Sequence, residues 1–357
     1  MSKLTLPLLT LTLALTRHVH AQCGAGTPDI TVTGSSSSFT TTSSSGTQLY
    51  TGSSYLEALN QALSAATSGQ RLAVMASGSI GASTLTLPSG ITFEGCGTID
   101  VANRAGYGAI EATDTEDVNI PYLTMTGDPY FGLRFSGNRN LALGEITMNL
   151  SGGLGIRFDR DRAASSNVSM DTITVTGAGS HAVETWNIDG LTVNSVIARD
   201  VGECGLLLQA TTNAKVGLVD GDNVAAGTGY ATFRMANNNG QTADGGYSTN
   251  VYVDKVVSRG GGRGIFCVSQ SGAVEIGEID LADNGNNAIL IENCYNVVIK
   301  GGKVNGGGEV RISARDEFPN TSDVSITLQV DGTTVKESPC GDNISWTLTG
   351  SAEQSIC

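Results

Sequence analysis

The sequence predicts an all-β protein, a right-handed parallel β-helix, on three observations. From residue 109 onward a short pattern recurs, a small residue followed by apolar, outward, apolar and outward positions. Its anchors are spaced 23, 23, 27, 23, 25, 34, 24 and 21 residues apart, and a second strand-like run follows each one. A period in that range with two short strands per unit marks a solenoid, in which a coil buries its apolar face only by stacking on its neighbours. The 47 glycines and 7 prolines suit many turns around short strands.

Residues 1–21 read as a secretory leader, with Lys3, an apolar stretch from Leu4 to Leu15, and Val19-His20-Ala21 as a small-residue cleavage site. A secreted, extracellular protein follows, occupying residues 22–357 as one domain. Its expected parts are an N-terminal cap with the first coils (22–105), regular coils (106–335) and a C-terminal disulfide cap (336–357). No other apolar run approaches the roughly 18 residues of a membrane span. Sequons start at Asn149, Asn167, Asn320 and Asn343 and imply a glycoprotein. The net charge is −14 over the whole chain, and about −16 without the leader. This balance argues against nucleic acid or an anionic membrane as partner, and a monomer is expected.

Seven cysteines in an oxidising compartment predict disulfides with at least one thiol left over. Cys23 with Cys96 and Cys340 with Cys357 are expected, because both pairs clamp chain ends. No Cys-x-x-Cys spacing occurs and the mature chain has one histidine, so a Cys/His zinc site is not expected. Ser54-Tyr55-Leu56-Glu57 is a capping box that opens a helix to about Thr67, with Leu56, Leu59 and Leu63 on one stripe. This helix is expected to cap the N-terminal end of the solenoid.

The coil anchors are Ile110, Leu133, Ile156, Val183, Leu206, Ala231, Ile265, Ile289 and Val310. Period-two alternation points Ala112, Phe135, Phe158, Thr185, Leu208, Phe233, Cys267, Ile291 and Ile312 inward beside them. Cys267 is therefore expected inside the helix as the free thiol. Second strands begin at Val118, Leu141, Val168, Leu191, Ala214, Val251, Val274, Val297 and Val324. Asn or Asp precedes most of them, as at Asp117, Asn140, Asn167 and Asn213, which predicts a polar ladder at one corner.

The run from first to second strand is eight or nine residues in six coils, but 12 in the third, 20 in the sixth and 14 in the ninth. Insertions on one side of a solenoid build a binding face. The third- and sixth-coil insertions are expected to wall a floor of outward residues. One row of that floor includes Arg134, Arg157, Glu184, Leu207 and Phe266, and the next includes Asp159, Trp186, Gln209 and Arg234. Coils stack about 4.8 Å apart, which puts Arg157 against Glu184. An aromatic plate, bidentate guanidinium donors and nearby acids are what an acidic glycan requires. A cross-strand salt ladder accounts for the same pattern without any function. His181 stands at the edge of the patch beside Glu184, and Arg263 lies on the same edge. A neighbouring carboxylate can hold an imidazole in the range where it exchanges protons.

The capping helix, the coils and the run Leu87-Pro88-Ser89-Gly90-Ile91-Thr92-Phe93-Glu94-Gly95 together resemble the pectate-lyase-like β-helix superfamily. The likeness covers most of the mature chain and is one of architecture. Asn187-Ile188-Asp189-Gly190 is similar to the Asn-x-Asp of polygalacturonases but falls at the ladder corner. The paired Asp-Asp, Gly-His-Gly and Arg-x-Lys motifs are missing, as are Trp-x-Asp-His and Arg-x-Pro-x-x-Arg of well-known pectate lyases. A divergent member is implied.

The first functional expectation is a polysaccharide lyase cutting a uronic-acid polymer by β-elimination. Arg157, Arg160 and Arg234 bind the sugar carboxylate, and Arg134, Trp186, Gln209 and Arg263 complete the substrate face. His181 or an arginine takes the proton, and Glu184 or Asp159 orients the base. The resemblance also implies that these two carboxylates hold a bridging Ca²⁺. The second expectation is a glycoside hydrolase with a carboxyl pair drawn from Asp159, Asp161 and Glu184. The third is a glycan-binding protein without catalysis.

Overall fold

A computed structural model describes residues 22–357; the expected leader at 1–21 lies outside the described residues. The chain is 59% strand and 3% helix and winds into a parallel β-solenoid of about 12 turns. Short strands such as Phe131–Ser136, Leu154–Phe158, Val183–Trp186 and Leu206–Gln209 stack in parallel into one sheet. Long strands such as Arg139–Leu150, Ser165–Thr176 and Ile188–Arg199 stack into the other.

The two short strands per coil expected from sequence are corrected here, because the second strand is long and bent. Along Arg139–Leu150 the buried positions are Leu141 and Leu143, then Ile146, Met148 and Leu150. The alternation slips by one residue at Gly144-Glu145, so the strand turns a corner and supplies two of the three faces enclosing the core. The second-strand starts align as expected, from Leu141 through Val168, Leu191, Ala214, Val251, Val274 and Val297 to Val324.

Along the short-strand sheet Ile110, Leu133, Ile156, Val183, Leu206, Phe233, Ile265, Ile289 and Val310 form one buried row. The sixth coil is a correction. Phe233, not Ala231, aligns with Leu206 and Ile265, and Met235 aligns with Cys267. Phe233 and Met235 point into the main core, while Ala231, two residues earlier, pairs with Arg263 outside it; a slip of two residues keeps the alternation, so sequence alternation cannot detect it. The slip moves Arg234 into the outward row with Leu207 and Phe266.

The corner ladder forms. Asp117, Asn140, Asn167, Asn213, Asn296 and Asp323 all have φ between 51° and 57°, a left-handed conformation that Asn and Asp tolerate better than other side chains. Asn140 Nδ2 donates to Asp117 Oδ1 at 2.8 Å, and Asn167 Nδ2 donates to Asn140 Oδ1 at 3.2 Å. Asp189 belongs to the same corner and accepts from Thr212 Oγ1 and Asn213 Nδ2.

Helix α1 (Tyr55–Ala65) begins where expected, with Ser54 Oγ accepting from the Glu57 N–H at 3.1 Å. Only half of the capping box closes, since the Glu57 carboxylate accepts from Gln61 instead. The helix buries Ala58, Leu59, Ala62 and Leu63, with Leu56 half-buried. It packs on antiparallel strands Ser38–Ser43 and Gln48–Gly52, which the sequence reading did not anticipate.

Both expected end disulfides form, Cys23–Cys96 and Cys340–Cys357. Cys267 lies inside the solenoid as expected but is not free; it pairs with Cys294, and the free buried thiol is Cys204. Burial pushes the Cys204 thiol up to about 12. The three disulfides fit an extracellular, oxidising setting.

Alkylation of the unfolded, unreduced chain is expected to label Cys204 alone by mass spectrometry; label on Cys267 or Cys294 refutes the third disulfide. Asn140→Ala is expected to cost about 2 kcal/mol, from the left-handed backbone and the broken ladder. Asn140→Gly recovers roughly half of that by removing the Cβ, and equal Tm values for both variants contradict this account of the corner.

Candidate functional site

The outward face of the short strands carries the charges singled out in the sequence, and most are paired along the stack. Arg134 reaches Glu111 at 3.2 Å and Asp159 at 2.8 Å. Arg157 lies 3.5 Å from Asp159 and forms an ion pair with Glu184. Glu184 Oε1 also accepts from Trp186 Nε1 and Gln209 Nε2, each at 2.9 Å. Trp186 and Gln209 therefore hold Glu184 in place. Arg160 and Asp161 pair with each other in the exposed third-coil loop, with Arg160 5.6 Å from the Trp186 ring. A salt ladder accounts for these positions, at little stability per exposed pair.

The ladder also bears on calcium. Both carboxylates proposed as ligands, Asp159 and Glu184, are already occupied by guanidinium, indole or amide donors. A cation-rich donor set of this kind does not fit Ca²⁺. The metal-like grouping among the described residues, Cys23, Glu94 and Cys96, has both sulfurs in a disulfide.

A cleft of about 580 Å³ opens at the other edge of the same sheet, before the short strands rather than after them. Neither the third- nor the sixth-coil insertion borders this cleft, whereas the third-coil residues Asp159 to Arg162 wall a separate hollow. The cleft follows a column of residues three positions ahead of the stacked core row: Tyr107, Tyr130, Gly153, Ser180, Glu203 and Tyr230. Backbone bonds tie the column from coil to coil, with Phe131 N–H donating to Tyr107 O, Leu154 to Tyr130 O, Ser180 to Gly153 O and Glu203 to Ser180 O. Large side chains stand at both ends and small ones in the middle, which leaves the hollow. At Gly153 the backbone is left-handed (φ 65°), and a Cβ there would meet the Pro129 carbonyl oxygen at 1.7 Å, so the floor must stay bare.

His181, Glu184, Arg157 and Glu203 line this cleft together. His181 is buried. Its Nδ1 accepts the Cys204 N–H at 3.0 Å, and its Nε2 lies 3.1 Å from Glu203 Oε2, which also accepts from Ser180 Oγ at 2.6 Å. Burial pushes the imidazole below its ordinary pKa, against the pull of Glu184 and Glu203. The ring is then neutral with its proton on Nε2, and its one lone pair is taken by the backbone.

Tyr230 links this pair to the cations. It meets the His181 ring edge-on at 5.3 Å, and the Arg234 guanidinium lies 4.8 Å from the Tyr230 ring and 5.0 Å from the Phe266 ring. Arg263 lies 4.6 Å from Phe266 and donates to Asn287 Oδ1 at 3.0 Å. Among the described residues neither Arg234 nor Arg263 has a carboxylate within ion-pair reach, and Arg234 Nε is buried without a partner. Burial, then repulsion by Arg234, depresses Arg263 against the pull of Glu292. Burial, then Glu203, raises the Tyr230 hydroxyl. Two adjacent guanidiniums, neither in an ion pair among the described residues although Arg263 lies within the field of Glu292, leave a place for an anion.

The structure thus separates the sequence-derived residues into groups. His181, Glu184 and Arg157 share the cleft, with Arg234 and Arg263 beyond Tyr230. Arg134, Asp159, Arg160 and Asp161 line a second hollow of about 300 Å³ that shares Tyr130 and Arg157. Trp186 and Gln209 lie outside both. Apart from these, on later coils, Glu292 pairs with Arg315 and Arg311 with Glu309. Glu203, Ser180 and Tyr130 were missed, although their recurrence three residues before each core position was readable; Tyr230 joins that column only once Phe233 takes the place of Ala231 in the core row.

The depressed pKa of His181 has a stability consequence. Between that value and the ordinary 6.5 the unfolded chain binds a proton that the folded chain does not. Stability present above pH 6.5 is therefore lost as pH falls through this window. The Tm of the wild type relative to His181→Gln is expected to fall between pH 7.5 and pH 5, and a difference that stays flat contradicts the assignment. Comparison of the chain with protein-family models, with curated proteins and with solved structures gave no match.

Proposed function

We propose that this is a secreted polysaccharide lyase acting on a uronic-acid-containing polymer. The observation that carries the reading is Arg234, a guanidinium with no anionic partner, held between Tyr230 and Phe266 beside the His181–Glu203 pair. β-Elimination needs the sugar carboxylate neutralised, the adjacent C–H proton removed and the leaving oxygen protonated.

Arg234 and Arg263 receive the carboxylate. Negative charge that builds there as the proton leaves is stabilised by fixed, partly buried cations. Glu203 takes the proton in this scheme, because the His181 lone pair is committed to the Cys204 N–H. His181 and Ser180 are positioning residues, since both donate to Oε2 of that carboxylate. Tyr230, whose raised pKa keeps it protonated, gives its proton to the glycosidic oxygen as the C–O bond breaks.

A glycoside hydrolase is the second reading, favoured by Glu184 and Glu203 lining one cleft. It is the weaker one because Glu184 is bound by Arg157, Trp186 and Gln209, which leaves it little freedom to donate or accept a proton. A screen over pectic, alginate, glucuronan and rhamnogalacturonan polymers separates the readings. A lyase releases ultraviolet-absorbing unsaturated ends, a hydrolase releases reducing ends without that absorbance, and a purely glycan-binding protein releases neither.

Arg234→Ala is expected to lower kcat/KM on the cleaved polymer by roughly 10²-fold, the scale of one charged hydrogen bond, with partial recovery in Arg234→Lys. Glu203→Gln is expected to lower kcat by at least about 10²-fold with folding intact. Wild-type turnover in both variants sinks the proposal.

A further inference from the structure

We infer that the substrate chain lies along the solenoid axis over the column from Tyr107 to Tyr230, and that Tyr107 and Tyr130 are sugar-stacking subsites remote from the reacting bond. This rests on the lyase reading and adds to it a requirement for chain length.

The two tyrosines are 45% and 43% exposed, unusual for side chains of their size in this protein. They occupy the same position on consecutive coils, which puts them about 4.8 Å apart along the axis. Tyr130 borders both the cleft and the neighbouring hollow. Its ring stands edge-on to Phe131 at 4.6 Å, and the Arg104 guanidinium lies 3.9 Å from the Tyr107 ring. Each ring is thus steadied by a neighbour while keeping nearly half its surface in water. Such rings present an apolar face and a wet hydroxyl, the surface that matches the C–H face and hydroxyl rim of a sugar.

The column gives the direction. From Tyr130 the floor drops to Gly153 and Ser180 and meets the next large side chain at Glu203, three coil steps or roughly 14 Å further on. One coil step is close to the length of one sugar unit, so a chain stacked on Tyr107 reaches Glu203 only with about five units. The other exposed ring beside a groove, Tyr252, sits on the long-strand sheet with Lys215 and Asp254 and has no second aromatic in line.

The test measures affinity and KM for polygalacturonate, alginate, glucuronan and rhamnogalacturonan backbone, each as polymer and as trimer. Tyr107→Ala is expected to reduce the ratio of polymer to trimer affinity by roughly tenfold, the scale of one aromatic stacking contact. The loss falls on KM rather than kcat, and Tyr107→Trp restores it. An unaltered ratio in the Tyr107→Ala, Tyr130→Ala double variant overturns the inference while leaving the lyase reading intact. A wild-type chain that binds none of the four polymers overturns the functional reading, and this inference with it.

Discussion

Everything in this molecule depends on one coil sitting in register on the next. A single coil has no core of its own, and its backbone N–H and C=O groups point along the axis toward neighbours. Stacking satisfies both needs at once, and apart from the antiparallel strands Ser38–Ser43 and Gln48–Gly52 near the N-terminus, parallel pairing runs through both sheets. Corners must then repeat as faithfully as strands. The left-handed residues at Asn140 and Asn167 meet that requirement, because an amide side chain tolerates the backbone and bonds the equivalent residue one coil away, and Asn213 bonds Asp189 on the adjacent coil.

The same register makes the surface a set of columns. A residue type placed at one position is brought within a few ångströms of the equivalent positions on adjacent coils, so charges either alternate or repel. Glu111, Arg134, Asp159, Arg157 and Glu184 alternate and neutralise one another. Arg234 and Arg263 break that rule. Their neighbours Leu207, Phe266 and Leu290 are apolar residues outside the main core, and among the described residues no acid forms an ion pair with either cation. An exception to a neutralising pattern is more informative about function than the many charges that obey it.

The cleft arises in the same way, from what one column omits. Gly153 and Ser180 occupy positions that carry tyrosine two coils earlier and glutamate or tyrosine on the coils that follow. No loop insertion is needed to make the hollow, and its walls inherit the rigidity of the stacked backbone beneath them. His181 is held by that backbone as well, through the Cys204 N–H, which fixes its tautomer and turns its one proton toward Glu203.

The sequence alone determined the solenoid, the inward rows, the Asn corner and the two end disulfides, because repetition at one spacing exposes which positions share an environment. It also drew attention to His181, Glu184, Arg157, Arg234 and Arg263. Tertiary structure decided the rest. Whether Ala231 or Phe233 faces Leu206 depends on how much volume the core must fill there, and alternation is blind to a two-residue slip. Cys267 pairs with Cys294 because successive coils bring an inward strand position and a corner position together, and linear spacing does not report that distance. Whether a charge is free or neutralised depends on its neighbours along the axis. Only folding could therefore separate the paired Arg157 from the unpaired Arg234, and bring Glu203 to His181.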